Sequence, residues 1–188
     1  MNNLGNYFTV RNGYLHVTET DLPERNTHKY RKLMMNTYVC YHKDIQVTSG
    51  FRTSEGLTKV ANPEQKVDQV FVAAINIQQG EVGISNASQP NIEKKCKFIL
   101  DYAYQSTYIG AIYHQRNHIF LTLVGGGAFG NNKKWIYEAL ITAHKKWGQK
   151  NKSAIQHVSL ILYNPSDFEE QLIDLLKHHD IDYNIQML

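Results

Sequence analysis

Apolar positions are irregular in the first part of the chain and become periodic from about residue 67 onward. Before that point, two short runs rich in β-branched and aromatic residues, 14–18 and 37–42, predict strands, and the second extends toward Val47. Residues 48–66 carry Gly, Ser, Thr, Asn and Pro and predict a loop. Residues 1–36 are otherwise polar and without clear periodicity, so we treat them as an N-terminal extension of the domain that follows.

The second part of the chain alternates between strand and helix patterns. Residues 70–77 are apolar almost throughout, which is typical of a strand covered on both faces. Residues 91–115 carry apolar side chains at three- and four-residue steps, which predicts a long helix. The elements that follow are a strand at 118–124, a helix at 133–146 with Gly148 as its C-cap, a strand at 157–163, a helix at 168–178 and an edge strand at 181–187. This order predicts a single α/β domain spanning residues 1–188, with helices on both faces of its sheet.

Length, charge and cysteine content narrow the class of protein. A chain of 188 residues suits one domain with a full core, and its net charge of +3 includes no Lys/Arg block of the kind that binds nucleic acid. No apolar run approaches the roughly 20 residues that a membrane-spanning helix needs. Cys40 and Cys96 each sit among apolar residues, so we expect buried free thiols and a reducing compartment. We therefore expect a cytoplasmic monomer with no nucleic-acid or membrane partner, and export as an effector into the cytosol of another cell stays open.

The nine histidines do not form the pattern of a metal site. His178 and His179 are adjacent and are followed by Asp180, and adjacent residues on a helix point in different directions. At a helix C-terminus, histidines are better explained by the favourable dipole for positive charge. His114 and His118 are four residues apart, but the predicted helix ends between them. We therefore predict neither a metal nor another cofactor.

The most informative stretch is the glycine-rich segment 125–131, which lies between a predicted strand and a predicted helix. Glycine lets main-chain N–H groups approach an anion closely, and a helix N-terminus favours phosphate, so the segment predicts a site for a phosphate-bearing ligand. Gly125, Gly127 and Gly130 satisfy G-x-G-x-x-G, which makes an NAD-binding Rossmann-type enzyme one interpretation. However, the next strand ends at Asn164 with no carboxylate to hold a ribose, and no GK[ST] follows that would indicate a P-loop. A turn that only packs a helix against a sheet is the remaining alternative.

The flanks of this turn carry a resemblance to a known superfamily. Residues 121–131 read L-T-L-V-G-G-G-A-F-G-N, and residues 135–139 read W-I-Y-E-A. Together they resemble the macrodomain superfamily, most closely a divergent branch that includes bacterial effector macrodomains acting on ADP-ribosylated proteins. Residues 98–107 are similar to that branch as well, and the resemblance extends from about residue 67 to residue 176. It implies a three-layer α/β/α macrodomain-like fold with a mixed central sheet.

The resemblance also implies a set of ligand-binding residues. In macrodomains the turn after this strand holds the diphosphate of ADP-ribose, and its aromatic residue, here Phe129, lies against the distal ribose. Lys43-Asp44-Ile45 resembles the G-D-I of the family, whose aspartate accepts from the adenine amino group, and Tyr163 is placed to stack on the adenine. The alternatives are that Phe129 packs into the core, that Asp44 is a surface carboxylate, and that Tyr163 is a core tyrosine. The implied set is Asp44, Gly125, Gly126, Gly127, Ala128, Phe129, Gly130, Asn131, Tyr163 and Asn164.

Catalysis would require further groups. Hydrolysis of an ADP-ribosyl bond needs a water positioned beside the anomeric carbon and a base to activate it. Asn76 falls near the ribose-binding asparagine of the family, and Glu81 lies in the loop after residues 70–77, so we predict these two as catalytic residues. Asp101 is a second candidate carboxylate, although its polar neighbours favour a surface charge. The expected function is ADP-ribose binding with hydrolysis of ADP-ribose from a modified protein, and a non-catalytic reader of ADP-ribosylated proteins is the main alternative.

Overall fold

A computed structural model describes residues 2–11, 13–78, 89–152, 154–163, 170–181 and 183–187. The strands are β1 (Phe8–Arg11), β2 (Tyr14–Val17), β3 (Cys40–Gln46), β4 (Ser49–Thr53), β5 (Gly56–Lys59), β6 (Lys66–Phe71), β7 (His118–Leu121), β8 (His157–Leu162) and β9 (Asn184–Met187). The helices are α1 (His28–Met35), α2 (Gln89–Tyr113), α3 (Lys133–Ala143) and α4 (Glu170–His178). The chain divides into two compact units, one formed by residues 1–38 with 73–188 and the other by residues 39–72.

The larger unit contains a parallel sheet whose strands alternate with helices along the chain, so the fold is of mixed α/β type. Its strands lie in the order β7-β8-β9, with Leu121 paired to Leu160 and Leu160 paired to Ile185. Helix α3 connects β7 to β8, and α4 connects β8 to β9. Because parallel neighbours end at the same edge, the segments after β7 and β8 begin side by side. The glycine turn and Tyr163 therefore start from the same edge of the sheet.

One face of this sheet packs against the helices, whereas β7 leaves its other face open. Along β7 the side chains alternate, with Ile119 and Leu121 buried and His118 and Phe120 exposed. The exposed fraction of Phe120 is 56%, so the expectation of full cover on both faces is wrong for this strand. The first core lies between the buried face and helices α2, α3 and α4, and its fully buried members include Leu100, Tyr104, Ile136, Leu140 and Leu160.

A second core joins the N-terminal segment to the other side of α2. Phe8, Val17, Leu22 and Leu33 pack with Phe98 and other residues of α2. At the start of α2, the buried ammonium of Lys95 donates to the Thr18 carbonyl at 2.6 Å, and its burial lowers the Lys95 pKa to about 8. The strand predicted at 14–18 is confirmed as β2, and the segment 1–36, otherwise without clear periodicity, is part of the larger unit.

The C-terminal end of α3 differs from the prediction in a way that explains Gly148. The α-helix ends at Ala143 and continues as a π-helical turn, His144–Gly148. Gly148 has φ −69°, so it does not take the left-handed conformation of a C-cap glycine. Instead, a Cβ at this position would come within 2.7 Å of His144 Nδ1, so the glycine is needed for packing.

The smaller unit is an antiparallel ribbon. β3 pairs with β6 and β4 pairs with β5, and the two ladders are joined by hydrogen bonds from Val47 N to Gln65 O and from Val60 N to Thr48 O. Residues 49–59 are therefore mostly strand, and the predicted loop is wrong there. None of the side chains in 39–72 is fully buried. Cys40, on β3, is exposed against expectation, whereas Cys96 is buried as predicted.

Within the described residues, no helix combines the length and the apolar character that crossing a membrane would require.

Candidate functional site

The glycine turn follows β7 and closes on itself before α3 begins. Gly126 N donates to Leu123 O at 3.0 Å, and Gly130 N donates to Gly127 O at 2.9 Å. Asn131 N then donates to Gly125 O at 2.9 Å, which brings the two ends of the turn together. The segment 125–131 is therefore a compact structure held by its own main chain.

Of the four glycines in the turn, Gly125 and Gly130 are required by the fold, whereas Gly127 is not. Gly125 and Gly130 have φ of 79° and 65°, in the left-handed region that disfavours other residues. A Cβ on Gly125 would also lie 2.4 Å from the Ala74 Cβ, and a Cβ on Gly130 would lie 2.3 Å from Gln78 Cγ. By contrast, no described atom lies within 4 Å of a Cβ built on Gly127. The open space at Gly127 is available to a ligand.

Successive main-chain donors lie at this open position. Among the described residues, no acceptor is bonded to the N–H groups of Gly127, Ala128 and Phe129, and Gly127 and Ala128 are exposed. The N-terminus of α3 follows directly, where Asn132 caps the helix by accepting from Lys134 N at 2.9 Å. Successive N–H groups beside a helix N-terminus bind anions, because both present partial positive charge.

The segment 74–78 runs alongside the turn and brings Asn76 to it. Ile77 N donates to Phe129 O at 2.9 Å, and Asn131 Nδ2 donates to Ile75 O at 2.8 Å. Asn76 lies between these two contacts, and its side chain accepts from Gln78 N at 3.1 Å. The strand predicted over 70–77 is wrong beyond Phe71, because β6 covers Lys66–Phe71 and pairs with β3 in the ribbon, whereas residues 73–77 belong to the larger unit. The structure therefore places Asn76 in a segment whose neighbouring residues are hydrogen-bonded to the turn.

Asn131 faces into the protein. The exposed fraction of Asn131 is 3%, and its Nδ2 lies near the carbonyls of Gly125 and Phe129 as well as that of Ile75. Its Oδ1 has no partner among the described residues. The Asn131 side chain therefore holds the turn against the segment 74–78.

Tyr104 on α2 contacts the other end of the turn, and sequence reasoning did not single it out. Its hydroxyl donates to Thr122 O at 2.7 Å and accepts from Val124 N at 3.1 Å. Val124 N also donates to Thr122 O at 3.0 Å, so the main chain turns directly after β7 ends at Leu121, and the predicted strand end at Val124 is wrong. The exposed fraction of Tyr104 is 2%, and burial raises the pKa of the phenol, so it stays protonated. In the sequence, Tyr104 is one of a run of apolar helix positions and reads as an ordinary core residue.

The two aromatic residues of the predicted site differ in exposure. Phe129 is partly buried and packs against the first core, as the structural alternative for it proposed. Tyr163 follows β8, and its exposed fraction is 85%, so it is not a core tyrosine. Its ring is accessible at the edge where the glycine turn also begins.

Asp44 belongs to the ribbon of residues 39–72. It sits in the irregularity of β3 between His42 and Ile45, with φ 54°. Its N–H donates to Asp68 Oδ1 at 2.8 Å, and its carboxylate lies 3.7 Å from Lys43 Nζ. The ion pair with Lys43 corresponds to the alternative of a surface carboxylate.

Of the two candidate carboxylates, the structure describes Asp101 and not Glu81. Asn164, a predicted ligand-binding residue, also lies outside the described residues. Asp101 is buried, with an exposed fraction of 6%, and pairs with Arg25 at 2.8 Å. Burial raises the pKa of Asp101, and Arg25 acts in the opposite direction. Asp101 therefore ties the N-terminal segment to α2, and the expectation of a surface charge is wrong.

No group of three or more His, Cys, Asp or Glu residues within the described part of the chain is arranged to hold a metal ion. Comparisons of the chain with family models, with curated proteins and with solved structures find no match.

Proposed function

We propose that this protein binds ADP-ribose, or a close derivative, through the main chain of residues 125–130. The observation that carries the proposal is the run of N–H groups at Gly127, Ala128 and Phe129, which have no acceptor within the described part of the chain and lie beside the N-terminus of α3. A diphosphate is the ligand group that fits best, because its oxygens accept several N–H groups at once and its charge is favoured by the helix dipole. The resemblance of residues 121–139 to macrodomains extends the proposal from a diphosphate to ADP-ribose. It also leads us to propose the three-layer α/β/α fold with a mixed central sheet.

Neighbouring groups support a nucleotide as the rest of the ligand. Asn76 lies beside the turn and supplies an amide suited to ribose hydroxyls. Tyr163 presents an accessible ring, and an aromatic ring is a platform on which a base can stack at little entropic cost. We assign the glycine turn to the diphosphate, Asn76 to a ribose and Tyr163 to the adenine. Asn131, which is buried, has a supporting role in this assignment.

The binding proposal is tested by titration with ADP-ribose and with NAD in a calorimeter. We expect ADP-ribose to bind and to raise the melting temperature, since a ligand that binds only the folded state stabilises it. The variant Gly127→Leu should keep the fold, because space surrounds that position, but should weaken binding by about 30-fold or more through loss of several charge-assisted hydrogen bonds. Gly127→Ala is the graded control. Absence of heat with wild-type protein would refute the proposal, and NAD binding tighter than ADP-ribose would favour the Rossmann-type alternative.

We further propose that the bound group is removed from a modified protein by hydrolysis. Incubation with an ADP-ribosylated protein should release free ADP-ribose, and Asn76→Ala and Glu81→Gln should slow the release while leaving the melting temperature close to that of wild type. A loss of rate of about 100-fold is typical when a general base or a positioning group is removed. Tight binding with full retention of the label would identify a reader instead of a hydrolase.

A further inference from the structure

The turn 125–131 is held at both ends by buried side chains, that of Tyr104 on α2 and that of its own last residue, Asn131. At its start, the Tyr104 hydroxyl bonds to Thr122 O and Val124 N. At its end, the Asn131 amide bonds to Ile75 O and approaches the carbonyls of Gly125 and Phe129. Both side chains are almost fully buried, so a ligand on the open side of the turn would not touch them.

The hydrogen bonds at the two ends of the turn restrict the conformation of the main-chain N–H groups that lie between them. A glycine-rich segment has many accessible conformations, and ordering it on binding would cost conformational entropy. The Asn131 amide occupies carbonyls on the inner side of the turn, whereas the N–H groups of Gly127, Ala128 and Phe129 stay unbonded among the described residues. A turn fixed in this state before the ligand arrives binds more tightly than one that must be ordered, because the entropy cost has already been met in folding.

We propose that Tyr104 and Asn131 are positioning residues that preorganise the glycine turn for an anionic ligand. The identity of the ligand rests on the function proposed above, whereas the preorganisation itself does not. Tyr104 fixes where the turn leaves β7, and Asn131 fixes it against the segment 74–78.

The chain supplies a matched control for Tyr104. Tyr108 lies one turn further along α2, has an exposed fraction of 0%, and uses its hydroxyl to contact His144 and Tyr183. Replacing either tyrosine with phenylalanine removes one buried hydroxyl from the same helix. We expect Tyr104→Phe and Tyr108→Phe to lower the melting temperature by a similar amount, about 2–8 °C. Only Tyr104→Phe should weaken ADP-ribose binding, by about tenfold.

Asn131 has a matched control as well. Asn91 has the same exposed fraction of 3%, and its Nδ2 donates to Thr18 O and Glu19 O near the second core. We expect Asn131→Ala and Asn91→Ala both to destabilise the fold, and only Asn131→Ala to weaken ADP-ribose binding, again by about tenfold. Equal affinity losses within each pair would show a merely structural role and overturn the proposal, as would unchanged affinity in both Tyr104→Phe and Asn131→Ala.

A readout without ligand separates this inference from the proposed function. In amide NMR spectra of the free protein, Tyr104→Phe should shift and broaden the resonances of residues 125–130 more than Tyr108→Phe does. If wild-type protein fails to bind ADP-ribose but these resonances respond as expected, the ligand assignment is wrong and the positioning role holds. If the resonances of 125–130 are the same in both tyrosine variants, the positioning role is refuted whatever the ligand.

Discussion

At the scale of single residues, buried hydroxyl and imidazole groups determine local structure through their hydrogen bonds. The hydrophobic pattern of the sequence does not reveal these bonds. Tyr104 and Tyr108 are both buried in α2, yet the hydroxyl of Tyr104 bonds to the main chain after β7 and that of Tyr108 joins a polar cluster. In that cluster the Tyr108 hydroxyl lies 2.9 Å from His144 Nδ1 and 3.2 Å from the Tyr183 hydroxyl. A tyrosine hydroxyl can donate to Nδ1 of a neutral imidazole or accept from an Nδ1–H, and it is burial of the ring that favours the uncharged form of His144.

His144 should make stability depend on pH. Burial lowers the pKa of His144 to about 4, with the charge of Lys152 acting in the same direction, whereas an unfolded histidine titrates near 6.5. Between these two pH values the unfolded chain binds a proton at His144 that the folded chain does not. The stabilisation that comes from keeping His144 uncharged is therefore fully present above pH 6.5 and is lost as the pH falls toward 4. Because part of the ring is accessible to solvent, we expect the free energy of unfolding to fall by only about 1 kcal/mol through His144 between pH 7 and pH 5.

The measurement is urea unfolding of wild type and His144→Asn at both pH values. Asparagine retains an acceptor for the Tyr108 hydroxyl but does not titrate. The variant is expected to be less stable at pH 7 and to lose less stability than wild type on acidification. Parallel losses in the two proteins would show that His144 does not carry the effect.

At the scale of helices and strands, the sequence predicts the elements with a regular buried face and misses two that lack one. β3 was predicted from its β-branched and aromatic residues, although none of its side chains is fully buried. The apolar steps of α2 and the buried strand β8 gave clear periodicity, and both elements are present. α1 buries only Leu33, and every residue of β4 is exposed, so neither leaves a pattern. Hydrophobic periodicity reports burial, and an element without a buried face is invisible to it.

The ends of elements and the site depend on contacts between distant parts of the chain. Directly after β7 ends at Leu121, the hydroxyl of Tyr104 on α2 bonds to the main chain of Thr122 and Val124. The glycine turn was located correctly by its residues, since Gly125 and Gly130 adopt conformations that glycine favours. The contact that holds the turn against the segment 74–78 joins Asn131 to Ile75, 56 residues apart, and no local pattern encodes it.

At the scale of the whole molecule, burial is distributed unequally between the two units. The larger unit has two hydrophobic cores, with Leu140 and Leu160 fully buried. In the ribbon of residues 39–72, by contrast, Phe51 and Leu57 have exposed fractions of 81% and 61%. Two-stranded antiparallel ribbons are at best marginally stable in water. The two units should therefore differ in local stability.

Hydrogen exchange of the intact protein tests this difference. We expect the ladder amides of β3 to β6 to exchange through local opening at a small free energy, and those of α2 and β8 to exchange only near the free energy of global unfolding.

Substitutions should follow the same division: Leu140→Ala should cost about 2–5 kcal/mol of unfolding free energy, because it leaves a cavity in the first core. Leu57→Ala, the same change at an exposed site, should cost less than about 0.5 kcal/mol. Ribbon amides protected as strongly as those of β8, or a large cost for Leu57→Ala, would mean that the ribbon is covered in solution and that the division of stability is wrong.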